Sequence, residues 1–158
     1  MTPTLRLLDP SDARDAAILV ALTDGYARDP MGGGSGLSDT ARQRLAEAFA
    51  AHPATFALAA EAEGEAVGLA LCVLGFSSFY AAPTVNLHDI SVVPAARGLG
   101  VGRALLAAVE AEAVKRGACK VTLEVRPDNA VGRGLYESAG FELSALGGQA
   151  YLMMEKPL

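Results

Sequence analysis

Arg97-Gly98-Leu99-Gly100-Val101-Gly102-Arg103 follows the apolar run Leu87–Val93 and Pro94, and opens the helical pattern Leu105–Arg116. A strand, a glycine-rich turn and a helix in that order aim unpaired backbone N–H groups at one point. The first turn of a helix has four donors without intrahelical partners, and the helix dipole adds roughly +0.5 charge there. Such a place takes phosphate. Glycines at 98, 100 and 102 let a ligand approach backbone that a Cβ would shield, and Arg97 and Arg103 bracket the turn with two cations. The turn reads as a pyrophosphate site. Its spacing is not that of the dinucleotide fingerprint, because Arg103 stands where the third glycine is required, nor that of the Walker loop, which needs Gly-Lys-Ser/Thr.

Farther along, Val121-Thr-Leu-Glu-Val125 alternates as a strand, followed by Asn129 and then Leu135-Tyr136-Glu-Ser-Ala-Gly140-Phe141. Taken together, these stretches resemble the Gcn5-related N-acetyltransferase (GNAT) superfamily. Arg97-x-x-Gly100-x-Gly102 matches its motif Gln/Arg-x-x-Gly-x-Gly/Ala. Asn129 to Phe141 matches Asn-x-x-Ala-x-x-Leu-Tyr-x-x-x-Gly-Phe, with Gly132 replacing the alanine. The resemblance is continuous from about Leu87 to Phe141.

The resemblance implies a fold, a co-substrate and a set of residues. The fold is α/β, a mixed and mostly antiparallel sheet of six to seven strands, splayed between the fourth and fifth and flanked by about four helices. Acetyl-CoA is the implied co-substrate, with no metal. Its pantetheine arm would lie beside Ile90, Ser91, Val92 and Val93, with Val92 a main-chain partner and Asn129 a hydrogen-bonding one. The pyrophosphate would sit on Arg97, Gly98, Leu99, Gly100, Val101, Gly102 and Arg103. Tyr136 matches the tyrosine that protonates the leaving thiolate, and a phenol, mostly protonated at neutral pH, suits that role. Glu124 resembles the base of enzymes that acetylate ribosomal-protein N-termini. His88 stands where diamine acetyltransferases carry a glutamate base, and imidazole is suited to proton removal near neutrality. Each could equally be structural: Glu124 as a solvated strand carboxylate, His88 as a hydrogen-bonded histidine. Strict alternation puts His88 and Asp89 on opposite faces.

The value of a base depends on the acceptor. A lysine amine of pKa ~10.4 is neutral in about 0.04% of molecules at pH 7, a deficit of ~4.6 kcal/mol. For an α-amine near pKa 8 the deficit is only ~1.4 kcal/mol. The acceptor, a small-molecule or peptide amine, is not named by the sequence, because selectivity sits in loops that vary within a fold.

Bulk properties narrow the setting. The 158 residues make one domain, 1–158, and 51% hydrophobic content is that of a globular chain. No apolar run approaches the ~18 residues of a membrane span, and no secretory signal opens the chain. Cys72 and Cys119 lack metal spacing, so a reduced, cytoplasmic setting is expected. A net charge of −5 without a basic cluster outside the turn argues against nucleic-acid binding. A homodimer is open, since terminal strands in this fold often pair between chains.

Along the chain, the pattern predicts a strand at Thr4–Leu8, a helix at Ala13–Leu22, and a flexible glycine linker at Asp29–Gly36 that is either an acceptor-side loop or a connector. A second helix runs to Ala51. A hairpin, Thr55–Ala62 and Glu65–Leu74, turns at Glu63-Gly64. Then follow a strand at Val85–Val93, a helix at Gly100–Arg116, a strand at Lys120–Arg126 and a helix at Ala130–Ala139. Strands near Phe141–Leu146 and Tyr151–Lys156 end the order. Two rival readings keep the glycine turn without the acetyl transfer. One is a non-catalytic CoA or acyl-CoA sensor of the same fold, and the other an α/β module for a different nucleotide.

Overall fold

A computed structural model describes residues 2–158. Five strands form one sheet in the order β1-β2-β3-β4-β5: β1 is Thr4–Leu7, β2 Thr55–Ala62, β3 Glu65–Ser77, β4 Ala82–Val92 and β5 Val121–Leu123. The first four pair antiparallel, and β5 runs parallel to β4. Four helices flank the sheet: α1 Ala13–Arg28, α2 Asp39–Ala51, α3 Val101–Lys115 and α4 Ala130–Ser138.

Side-chain alternation along β2 sorts the interior into two layers. Phe56, Leu58 and Ala60 join Val101, Leu105, Leu106 and Val109 of α3. Ala57 and Ala59 face the other way, toward Leu19 of α1 and Phe49 of α2. With both faces covered, the central strands read as apolar runs, and alanines at 57, 59, 60 and 70 let the helices approach closely.

Several boundaries differ from expectation. Helix α1 continues past Leu22 through Asp24-Gly25, a pair that reads as a stop. Asp24 is held in the helix by a local bond from Arg28 Nε (3.0 Å) and by two tertiary ones, its carboxylate accepting from the Leu37 amide (2.8 Å) and Arg42 Nη2 (3.2 Å). The expected flexible linker is hydrogen-bonded. Pro30–Gly32 is a 3-10 turn, and Gly34 and Gly36 both donate to the Ala27 carbonyl, at 3.0 and 3.1 Å.

The sheet has five strands, fewer than the six to seven expected, because the last two strands pair only with each other. Gly147 and Gly148, both at positive φ, form a tight turn that closes just Ala145–Leu146 (β6) on Gln149–Ala150 (β7). The predicted strand Tyr151–Lys156 is not regular structure. The hairpin at Glu63-Gly64 is as predicted, both residues having positive φ and Ala62 pairing with Glu65.

Strand β4 carries the feature that positions the site. Leu71 pairs with Asp89 and Cys72 with Leu87, so His88 is an extra, bulged residue. The bulge breaks the assumed alternation, and Leu87 and Ile90 both pack into the α3 layer. On its other side β4 pairs with β5 only from Val85 to Leu87, opposite Val121 to Leu123. From His88 onward that edge of β4 is open, and the two strands part.

Candidate active site

The parting strands frame a cavity of about 370 Å³. Tyr136, Glu124 and His88, far apart in sequence, all line it, together with Ile90 and Asn129. Tyr26 of α1 and Met31 of the 3-10 turn complete its lining from outside the sheet. Neither stands out in the sequence. Tyr26 continues the spacing of Leu19 and Leu22, but the stop signal at Asp24-Gly25 hides its place on the same helix.

At the end of the open edge, main-chain groups remain available. The Val93 amide donates to Val67 of β3 (2.9 Å), so the peptide groups of Ile90 and Val92, in antiphase with it, face the gap. The Val92 carbonyl accepts from Arg97 Nε at 3.0 Å.

The glycine turn follows. Gly98 and Gly100 have φ of +75° and +85°, and Gly100 is the N-cap of α3. A side chain there would cost about 1–2 kcal/mol in backbone strain alone. A Cβ at either glycine would meet nothing within 4 Å, so the space in front of the turn is open. Ala104 is the first residue of α3 to donate within the helix, to Gly100 (3.0 Å). The amides of Gly98 through Arg103 have no partner among the described residues, which makes them a cradle for an anion. Gly102 serves packing instead, since a Cβ there would lie 3.0 Å from Leu135 of α4.

Both bracketing arginines already have protein partners. Arg97 Nη2 donates to Asp29 Oδ2 at 2.8 Å, and Arg103 Nη2 to Ser138 Oγ at 3.0 Å. Asn129 caps α4, its Oδ1 accepting from the Gly132 amide at 2.9 Å. A Cβ at Gly132 would stand 2.6 Å from Asn129 Nδ2, so the Asn129 side chain lies close over the first turn of α4.

Tyr136 packs edge-on against Phe141, ring centroids 6.1 Å apart. Burial, and then the neighbouring Tyr26, raise its phenol above the ordinary value, so it holds its proton firmly. Burial likewise raises Tyr26, reinforced by the charges of Asp89 and Asp29. The Asp89 carboxyl is also raised by burial, against the opposing effect of His88. Glu124 lies just beyond the last residue of β5, and Asn86 Nδ2 donates to both its oxygens, at 3.1 and 3.3 Å. The same amide reaches Thr122 Oγ1 at 3.1 Å, tying the two strands where they begin to part.

Among the described residues no group of three or more histidine, cysteine, aspartate or glutamate side chains is placed to hold a metal. No helix among them is long and apolar enough to cross a membrane.

Comparison with known proteins places this geometry. A protein named uncharacterized N-acetyltransferase YhfO, from Bacillus subtilis (strain 168), is 39% identical over 85 residues, 54% of this chain and 57% of that protein. The match thus spans little more than half of that relative's length. The solved structure of a ribosomal-protein-alanine N-acetyltransferase from Brucella melitensis biovar Abortus 2308 has a TM-score of 0.73 at 23% identity, covering 97% of this chain and 99% of that one. The structure of AAC(6')-Iy with a bisubstrate analog, CoA-S-monomethyl-acetylneamine, has a TM-score of 0.77 at 21% identity and covers 100% of both chains. At these identities the two structures speak for the fold. The profile of the Acetyltransferase (GNAT) family matches residues 19–141, the span that carries the open strand edge, the amide cradle and Tyr136, and the chain therefore belongs to that family.

Proposed function

We propose that this protein transfers the acetyl group of acetyl-CoA to a primary amine by direct attack within a ternary complex. The observation that carries the reading is a succession along β4 and the turn that follows it. An unpaired amide cradle at Gly98–Arg103 leads to the open edge at Ile90 and Val92, and the cavity between the parted strands gathers Tyr136, Glu124 and His88. A diphosphate fits the cradle by its donors and its open space, and an extended arm fits the open edge. The bound co-substrate supplies an activated acetyl thioester.

The chain's own residues supply the proton traffic. The attacking amine must lose a proton, taken by Glu124 or His88, directly or through water. The neutral nitrogen bonds to the carbonyl carbon, the C–S bond breaks as the Tyr136 hydroxyl gives its proton to the departing sulfur, and the surplus proton on the nitrogen restores the Tyr136 hydroxyl, leaving a neutral amide. Asn129 would contact the pantetheine with the Nδ2 that its capping bond leaves free. No acyl-cysteine is needed, and Cys72, whose thiol is pushed up to about 12 by burial, is unsuited to form one. On this reading the protein works in the cytoplasm, without a metal, on a small-molecule or peptide amine.

The test is a panel of acceptors with acetyl-CoA, namely an alanyl tripeptide, lysine amide, spermidine and kanamycin, followed by release of free thiol. Thiol release that depends on one of these amines and yields its acetylated product supports the proposal. Binding of coenzyme A without turnover of any of them would favour the sensor.

A further inference from the structure

Arg97 lies at the diphosphate turn, yet its side chain points elsewhere. Its fork spans two protein acceptors, Val92 O through Nε (3.0 Å) and Asp29 Oδ2 through Nη2 (2.8 Å). Asp29 ends α1 and starts the 3-10 turn, and its second oxygen accepts from the Met31 amide at 2.9 Å. Its carbonyl accepts from the amides of Gly32 (2.8 Å) and Gly34 (3.1 Å). Whatever moves Asp29 therefore moves Met31, and with it the cavity wall that Met31 shares with Tyr26. The bonds to Met31 and Arg97 hold the Asp29 carboxyl below the usual carboxylate range, so it is a charged partner at neutral pH.

We propose that Arg97 is a strut rather than a diphosphate ligand, and that Asp29 is the positioning residue through which it holds the Tyr26–Met31 wall at a fixed place relative to the amide cradle. The cradle has enough free amides, Gly98 through Arg103, to hold a diphosphate without this guanidinium. A bond from the Arg97 side chain to the Val92 carbonyl anchors the strut on the strand edge itself. The glycine-rich segment is thus a built wall, and where the acceptor sits is set by the same residue that follows the open edge. The inference rests on the acetyl-CoA reading.

The experiment is a double-mutant cycle with Asp29→Asn, Arg97→Gln and the pair. Asparagine keeps an oxygen for the Met31 amide and puts an NH2 group where Oδ2 accepted from Arg97, so the turn's own cap survives while the bond to Arg97 is lost. Calorimetry with coenzyme A should give affinities within about threefold of the parent for all three. The KM of the fastest panel amine should rise about tenfold in each single variant and no further in the double, because both remove one contact. Hydrogen exchange at Gly32 and Gly34, which requires no acceptor, should quicken in all three alike. A tenfold loss of coenzyme A affinity in Arg97→Gln alone would make Arg97 a phosphate ligand and overturn the strut. Unchanged exchange and KM, or effects that multiply in the double, would overturn it too. If the parent chain itself gives no heat with coenzyme A, the acetyl-CoA reading falls first and the strut with it.

Discussion

Tyr136 brings sequence and environment together in one residue. It sits in a contiguous motif, so its place is legible in the sequence alone. Its surroundings, Phe141 at its edge and Tyr26 nearby, come from packing and are not. Those surroundings raise the phenol and keep it protonated, which is the form a proton donor needs. Under the proposed mechanism, kcat should show no alkaline decline from this group until the pH passes 10, the ordinary tyrosine value. Tyr136→Phe should lower kcat by about 10²-fold or more while coenzyme A affinity stays unchanged. A Phe variant with undiminished kcat would remove Tyr136 from the chemistry. The other residues divide in the same way. Asn129 and the turn glycines lie in motifs, whereas Tyr26, Asn86 and Asp29 gain their meaning only from partners distant in the chain. Glu124 shows the difference, since Asn86 becomes visible as its partner only when β4 and β5 lie side by side.

At the scale of elements, the legible parts are those whose local chemistry agrees with their place. In the Glu63-Gly64 hairpin and in α3, with Gly100 at its start, local pattern and tertiary packing point the same way. The segments that depart from their local pattern are those that tertiary bonds override. Asp24-Gly25 would end an isolated helix, but the Leu37 amide and Arg42 keep it helical and fold the glycine segment back on α1. That arrangement predicts an acid response. The Leu37 amide first, then Arg28 and Arg42, lower the Asp24 carboxyl from 3.8 to about 2. A depressed carboxyl contributes order that is complete above its unfolded value and is lost as the pH falls through the folded one. The segment should therefore stay ordered at pH 4 and loosen toward pH 2. The amide shift of Leu37 followed by NMR should titrate with a midpoint near 2. A midpoint at or above 3.8 would mean that Asp24 does not hold the segment. The bulge at His88 is hidden for a related reason: an extra residue leaves no mark in an alternating pattern until the partner strand shows the slip.

At the scale of the whole molecule, the two interior layers serve one geometric end. The α1–α2 layer brings Tyr26 and Met31 to one side of the parted strands. The α3 layer fixes the cradle at their end, with α4 carrying Asn129 and Tyr136 across the gap. The order of elements and the glycine turn are legible because they recur as local patterns. The number of strands in the sheet is not, because a two-glycine turn closes the last strands on each other. The central claim is that the unpaired amides of Gly98 to Arg103 grip the diphosphate of coenzyme A. Its most direct measurement is a 15N amide titration of the folded chain with coenzyme A and, separately, with pantetheine, which lacks the diphosphate. The amides of Gly98 through Arg103 should shift strongly with coenzyme A and stay in place with pantetheine. Silence of those amides at millimolar coenzyme A, or equal shifts with both compounds, would contradict the account.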